Sequence, residues 1–361
     1  MKRSERSILT NWWHQIDWWI LGFVAAFSFV GLLTGLHSIH IFDKILLFYA
    51  AGALIFFIVP MMPKQYLIAL SWILLGICAV LFAMTYLSPH IINQSRRWAF
   101  VFGFSFMPAD LLKPAFIVLT AWFLTTLKRK SANDFIGDGS LWESGWWPAY
   151  AAIFTALLAA MFFHPDLGNM FIYIMLFGAM LFWAGAKMKY MLAFSGIGAA
   201  AAAASLMHPH FRTRILNLTD PYQVNRSLDA IKNGGLWGRG EESFLFSRVP
   251  MANNDFVFAG IAEMWGAVLA AAMLAAMLWL FLLLFKRAYE NRDEFSSLVI
   301  FGAAVLFALH VIMNTATALG LFMKGTTLPF ISYGGSSLLS FCFLFAIVLA
   351  LARIDKWGAS K

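Results

Sequence analysis

The sequence predicts an all-α polytopic membrane protein: a bundle of about ten transmembrane helices with one large extracytoplasmic loop and both termini in the cytoplasm. Three observations lead there. Hydrophobic residues make up 61% of the 361 residues and charged residues only 12%, against roughly 45–50% apolar and about 25% charged in soluble domains. A chain this long cannot hide so much apolar surface in a water-soluble core. The apolar residues also come in continuous runs rather than alternating with polar ones, which favours helices over a β-barrel. Finally, one polar stretch, residues 208–255, gathers Arg212, Arg214, Arg226, Lys232, Arg239 and Arg248 between two long apolar runs. Residues 1–361 therefore read as a single membrane domain that contains this loop.

The elements follow in order. A basic N-terminus with Lys2, Arg3 and Arg6 leads to Trp12, Trp13, Trp18 and Trp19, amphipathic rings suited to the headgroup level. The apolar run they open continues to Leu36 without a small-residue cleavage site, so it reads as a retained span rather than a signal peptide. Further spans are expected at Ile45–Met62, Tyr66–Leu87, Ala109–Leu127, Trp147–Phe163 and Leu167–Ala186. The last four are expected at Met188–Met207, Phe256–Phe285, Ser297–Phe322 and Ser336–Ala352.

Charge placement orients the bundle. With the N-terminus in the cytoplasm, the inner side holds Lys2, Arg3, Arg6, Lys64, Lys128, Arg129, Lys130, Lys187, Lys189, Lys286, Arg287, Arg292, Arg353, Lys356 and Lys361. The short outer loops hold only Lys44 and Lys324, as the positive-inside rule requires. Arg96, Arg97 and the six basic residues of the central loop lie outside, against that bias. An anionic ligand on the outer face would account for them; so would ordinary solvated loop charge.

Several residues could carry chemistry. Asp255 directly precedes an apolar run, a position that suits a helix N-cap and equally a general base at the mouth of the bundle. Ionisable residues within spans are functional candidates by default. Asp110 and Lys113 stand at i and i+3, where they can pair, and Glu263 lies two turns beyond Asp255. His310 and Asn314 share a helix face at i, i+4, a spacing more common for a buried hydrogen bond than for a metal. Lys324-Gly325-Thr-Thr-Leu-Pro329-Phe-Ile-Ser332-Tyr-Gly334-Gly335-Ser336-Ser337 breaks the helical pattern at membrane depth, which is tolerated only where backbone lines a cavity or is covered by protein. Its backbone N–H groups, next to a helix start, suit an anion. Cys78 and Cys342 both sit in apolar runs and form no disulfide framework. The chain has no Walker loop, dinucleotide fingerprint or metal-ligand cluster.

With these motifs in view, the chain resembles the SEDS family (shape, elongation, division and sporulation proteins). The Lys324–Ser337 stretch is similar to the family signature almost letter for letter. Asn93-Gln-Ser-Arg96-Arg97-Trp98 resembles its first outer-loop motif, the paired arginines favouring the division members over the elongation members. Met107-Pro-Ala-Asp110-Leu-Leu-Lys113 and His164-Pro-Asp166-Leu-Gly168 are similar to the Gln-Pro-Ser-Glu and Gln-Pro-Asp-Leu-Gly motifs. Asp220-Pro-Tyr222-Gln223, Gly234-Gly-Leu-Trp-Gly238-Arg239-Gly240 and Asp255-Phe-Val-Phe-Ala-Gly-Ile-Ala-Glu263 resemble the large loop and the helix after it. Departures are Asn253-Asn254 where the family has His-Thr, Met264 for a second Glu, Met107 and His164 for Gln, and Asp110 for Glu.

The resemblance implies a ten-helix fold and polymerisation of lipid II into glycan strands on the outer face of the bacterial cytoplasmic membrane, at the division septum. It implies a class B penicillin-binding protein and other division membrane proteins as partners, and no nucleic acid. The essential aspartate of the family falls on Asp255. Arg96, Arg97, Lys113, Arg239, Lys324, Ser332, Gly334, Gly335 and Ser336 then become expected substrate-binding positions. Asp110, Asp166, Glu263 and Asn314 become supporting ones. A divalent cation, Mg2+ or Mn2+, could share the leaving-group charge, although the sequence holds no dedicated cage. Two other readings stay open at this level: a flippase for the same lipid, using Asp110, Lys113, Glu263 and His310 as its pathway, and a division scaffold without chemistry.

Overall fold

A computed structural model describes residues 16–36, 42–87, 97–101, 103–133, 157, 166–186, 221–240, 254–322 and 325–352. Eight of the ten expected spans fall there, and each is a helix. They are α1 (Trp18–Leu36), α2 (Phe42–Ile58, extended by a 3-10 turn at Val59–Met61), α3 (Lys64–Leu87), α5 (Lys113–Asn133) and α6 (Leu167–Trp183). After them come α8 (Val257–Glu290), α9 (Glu294–Ala318) and α10 (Gly335–Leu351). The spans expected at 147–163 and 188–207 lie outside the described residues, apart from Leu157.

The outer end carries what the hydropathy pattern does not. A two-stranded antiparallel hairpin, β1 (Ala99–Val101) with β2 (Phe104–Phe106), turns at Gly103. It leads to a one-turn helix, α4 (Pro108–Leu111), with Pro108 in its first turn, where the missing N–H costs nothing. Pro114 cannot donate a helical hydrogen bond, so the helix breaks at Leu112 and restarts as α5. In the central loop, α7 (Pro221–Gly234) buries Val224, Ser227 and Ala230 on one face. It lies on α8 and α9, where the Ser227 hydroxyl donates to the Ala318 carbonyl at 2.8 Å.

Helix α9 is central, packing against α5, α6, α8 and α10. Helix α8 is not continuous: Gly266 has φ 83° and ψ 168°, a conformation essentially reserved for glycine. Residues Val257–Met264, before the break, are all buried, whereas Ala267, Val268 and Leu269, after it, are exposed. The glycine segment that ends α7 closes the break. Ala267 N–H donates to Gly235 O at 2.9 Å, Val268 N–H to Leu236 O at 3.3 Å, and Arg239 N–H to Glu263 O at 2.9 Å. A β-carbon on Gly234 would strike the Ala262 carbonyl, and one on Gly238 the Met264 carbonyl. The Gly234–Gly240 cluster is therefore a backbone-to-backbone joint between loop and span.

The opposite end is held by ion pairs. Arg287 meets the buried Asp17 at 2.6 Å, and Lys64 meets Asp293 at 2.6 Å. The Asn291 amide donates to Leu351 O at 3.2 Å. The start of α1, the start of α3, the α8–α9 turn and the end of α10 thus share one end, as the charge count requires. Asp293 also caps α9, accepting from Ser296 N–H at 3.1 Å. Burial alone would raise its pKa, but the Lys64 ammonium and the Ser296 donors outweigh that and hold the carboxyl below its ordinary 3.8. A lowered pKa stabilises the fold above the unfolded value, and the contribution disappears as pH falls through the folded one. Asp293→Asn keeps the cap and removes the charge. Wild type should exceed it by less than about 1 kcal/mol, the pair being partly exposed. In thermal unfolding in detergent, that difference should be constant at neutral pH and close only below 3.8; a difference that persists there would assign it to something other than the carboxylate.

Candidate functional site

The site is built around the turn that precedes α8. Asp255 is half-buried at the outer end, in the turn formed by Asn254, Asp255 and Phe256. The N-cap position of α8 falls on Phe256, which makes no side-chain cap. The capping role expected for Asp255 is thus displaced by one residue, because the helical backbone begins at Val257 rather than Phe256.

Two side chains clasp the signature loop to this turn. The Asn314 amide, on α9, donates to Asn254 O at 3.3 Å, Asp255 O at 3.2 Å and Thr326 O at 2.6 Å. The Ser332 hydroxyl donates to Asn254 O at 2.7 Å and accepts from Leu328 N–H at 2.7 Å. Gly325 then lies directly on the aspartate, and a β-carbon there would collide with Asp255 Cβ and Cγ. The carboxylate is held between a helix start and a loop whose backbone leaves no room for a side chain.

Beneath the loop lies a buried polar chain. Lys113, 1% exposed, donates to Asp110 Oδ1 at 2.6 Å and stands 3.0 Å from His310 Nε2. His310 Nδ1 lies 2.9 Å from Thr327 O. An ammonium has only donors, so Nε2 accepts and Nδ1–H donates, which makes the ring the neutral Nδ1–H tautomer. His310 and Asn314 thus hold successive carbonyls of the signature loop, Thr327 and Thr326, from one face of α9. Thr327 and Ser337 share a hydroxyl–hydroxyl hydrogen bond, and Met107 N–H donates to Ser336 Oγ at 2.8 Å. Phe330, a non-glycine residue at φ 63°, is fixed by the Tyr49 hydroxyl on its carbonyl and by the rings of Phe341 and Phe345.

The expected site residues therefore divide into groups. Asp255, Asn314, Ser332, Ser336, Lys113 and Asp110 form one connected assembly with His310 and Gly325. A side chain at Gly334 would meet Thr327 and one at Gly335 the Phe48 ring, so close packing accounts for both glycines. The loop N–H groups of Leu328, Ile331 and Ser332 are already engaged inside the loop, rather than offered to an anion. Arg97 pairs with Asp166 at 3.8 Å, and Asp166, at the cap of α6, accepts from the Asn169 amide at 2.9 Å. Glu263 is fully buried and accepts from the Asn233 amide at 2.8 Å, turned to the glycine joint. Arg239 is exposed beside it, its Nε donating to Asn233 O at 3.0 Å. Arg96 and Lys324 lie outside the described residues. Among the described residues no three His, Cys, Asp or Glu side chains gather as a metal cage.

Sequence reading did not assign Gly325 its contact with the aspartate, nor Tyr49 a place in the site. Gly325 was available as a motif member, whereas nothing local marks Tyr49. The clasp itself predicts a measurable cost. Asn314→Ala removes the amide from the Asp255 and Thr326 carbonyls, while Asn254 O keeps Ser332, and should destabilise the protein by about 2–4 kcal/mol, read as a lower unfolding temperature in detergent. An unchanged temperature would mean the turn and the loop hold together without Asn314.

Comparison with known proteins agrees with this architecture. Residues 9–356 match the FtsW/RodA/SpoVE family, described as cell cycle proteins. The chain is 28% identical to the "Probable peptidoglycan glycosyltransferase FtsW" of Caulobacter vibrioides, over 99% of this chain and 95% of that one. It is 30% identical to the protein of the same name from Thiomicrospira cyclica, over 88% and 83%. Among solved structures, a chain from "Structural coordination of polymerization and crosslinking by a peptidoglycan synthase complex" superposes with a TM-score of 0.75 at 23% identity, covering 94% of this chain and 98% of that one. The rod shape determining protein RodA of Thermus thermophilus superposes with a TM-score of 0.68 at 23% identity and the same coverage. The fold, the order of the motifs and the match over nearly the whole length lead to one conclusion: this multi-pass membrane protein belongs to the SEDS family of FtsW, RodA and SpoVE.

Proposed function

We propose that the chain is a peptidoglycan glycosyltransferase of the FtsW type, polymerising lipid II on the outer face of the bacterial cytoplasmic membrane, at the division septum. The observation that carries this reading is the half-buried Asp255, in a turn held by Asn314 of α9 and by Gly325 and Ser332 of the signature loop, at the end of the bundle opposite the basic turns. The names of its FtsW relatives support it.

In this reading, Asp255 accepts the proton of the acceptor's sugar hydroxyl as that oxygen attacks the donor's anomeric carbon. The bond from that carbon to the pyrophosphate oxygen breaks, and the lipid pyrophosphate leaves with the electron pair. A single displacement with one base inverts the anomeric centre, by analogy with inverting glycosidases. Cations steady the departing charge; Arg97 and Arg239 are the described candidates, and Arg96, next to Arg97, and Lys324, at the start of the signature stretch, are the others. Lys113, Asp110, Ser332 and Ser336 act through the loop they hold. A class B penicillin-binding protein is the expected partner, supported by the structural likeness to a chain of a peptidoglycan synthase complex.

The test is to incubate the purified protein with lipid II in detergent, alone and with the partner transpeptidase, and to resolve the glycan products. Polymer is expected in at least the paired reaction. Its absence from both would return the flippase and scaffold readings. No observation favours either now, because Asp110, Lys113 and His310 are engaged with one another and with the signature loop.

A further inference from the structure

Leu236 and Trp237 form the tip of the glycine joint and are 63% and 80% exposed. The tip is not a loose loop: Gly235 O and Leu236 O both accept hydrogen bonds from α8, and Gly238 N–H donates to Gly234 O at 2.8 Å. Two large apolar side chains are thus held outward on a fixed backbone, and their neighbours on α8, Val268 and Leu269, are 45% and 56% exposed.

The height of this tip can be read from α8. Its inner end is marked by Lys286 and Arg287. Counting outward, Ala267–Phe285 is an uninterrupted apolar stretch about 28 Å long at 1.5 Å per residue, close to the roughly 30 Å of the hydrocarbon core. Outward of Ala267 the sequence stays apolar through Met264, up to Glu263; it is at Gly266 that the helix breaks and α8 passes from a segment buried in protein to one with an exposed face. The change from buried to exposed sets the outer boundary of the hydrocarbon near Gly266, and the apolar length inward of it is enough to span the core. The backbone of Leu236 is bonded to the first residues below that boundary.

We infer that Leu236 and Trp237 are an anchor inserted into the outer leaflet, at the boundary between headgroups and acyl chains. A tryptophan ring suits that depth, with an apolar body and an N–H that can meet headgroup oxygens. The surface is continuous with the lipid-facing side of α8, which makes the bilayer, rather than water, its occupant. The joint carries this depth inward: Arg239 N–H bonds Glu263 O and Asn233 bonds the Glu263 carboxylate, in the buried segment that begins just after Asp255. Phospholipid would thereby set the level of the Arg239 backbone and of the Asp255 turn. The inference stands whether or not Asp255 is a base.

The test places a nitroxide at Leu236→Cys and at Trp237→Cys, in vesicles of phosphatidylethanolamine and phosphatidylglycerol. Collision with oxygen, enriched in lipid, is compared with collision with a water-soluble nickel chelate. Leu269→Cys gives the lipid reference and Tyr222→Cys, on the exposed face of α7, the aqueous one. The buried Cys78 and Cys342 of wild type give the background. The oxygen-to-nickel ratio at both tip positions should match position 269 and exceed position 222 several-fold. A ratio matching position 222 overturns the anchor. So does low access to both reagents, which would mean a second copy or another protein surface covers the tip. A label-free check is the quenching of tryptophan emission by dibrominated lipid, as the difference between wild type and Trp237→Phe; an unquenched difference component overturns it as well.

Discussion

Asp255→Asn should lower lipid II polymerisation by about 10²–10⁴-fold, the usual contribution of a positioned general base, while leaving the protein folded. Asparagine has the size of aspartate and can still accept hydrogen bonds, but it cannot take a proton at neutral pH. The turn that carries the residue is clasped through backbone carbonyls, which the substitution leaves in place. Asn314 donates to the carbonyls of Asn254 and Asp255, and Ser332 donates to that of Asn254. Unfolding temperature should therefore stay at the wild-type value while product falls to near background. Equal polymer from both proteins would remove Asp255 from the chemistry and move the search for a base to Glu263 and Asp110. Each of those already has a partner, Asn233 for Glu263 and Lys113 for Asp110, so either would first have to give up that contact.

Gly325→Ala should cost about 10²-fold in turnover, the penalty expected when a reacting group is misplaced by roughly 1 Å. The added methyl would occupy the space of Asp255 Cβ and Cγ, so either the carboxylate or the signature loop has to move. The loop is the harder of the two to shift. Thr326 and Thr327 are tied to Asn314 and His310, Phe330 to Tyr49, and Ser332 to Asn254. The aspartate side chain yields first. Single-turnover kinetics should place the loss in the chemical step, with substrate affinity little changed, because in the proposed mechanism Asp255 acts on the acceptor proton rather than holding the lipid. Wild-type turnover in Gly325→Ala would show that the loop gives way freely, and Gly325 would then be a packing residue without influence on the base.

Much of this molecule was legible before any coordinates. The spans were, because a bilayer demands about 20 apolar residues per helix and no other arrangement of such runs satisfies the backbone in hydrocarbon. The eight expected spans among the described residues all appear, with ends shifted by a few residues. The i, i+4 spacing of His310 and Asn314 correctly indicated one buried polar face, since helical geometry alone sets that relation. Helix α7 was missed. The dense charge of the loop masks it, yet Val224, Ser227 and Ala230 recur at helical spacing and mark its buried face. Three of the signature's N–H groups, those of Leu328, Ile331 and Ser332, and the hydroxyls of Ser332 and Ser336 turn out to hold the loop and its neighbours.

What the sequence determined alone is the membrane class and the helices of the eight spans among the described residues, since these follow from local composition and hydropathy. What only the tertiary structure decided is who meets whom. Lys113 reaches His310 across 197 residues of chain, and Ser332 reaches Asn254 across 78. Gly325 closes on Asp255, and Gly234–Gly238 fits into the break at Gly266. Such contacts leave no periodic trace, because they arise when separate helices pack together and buried donors must find whatever acceptors that packing brings within about 3 Å.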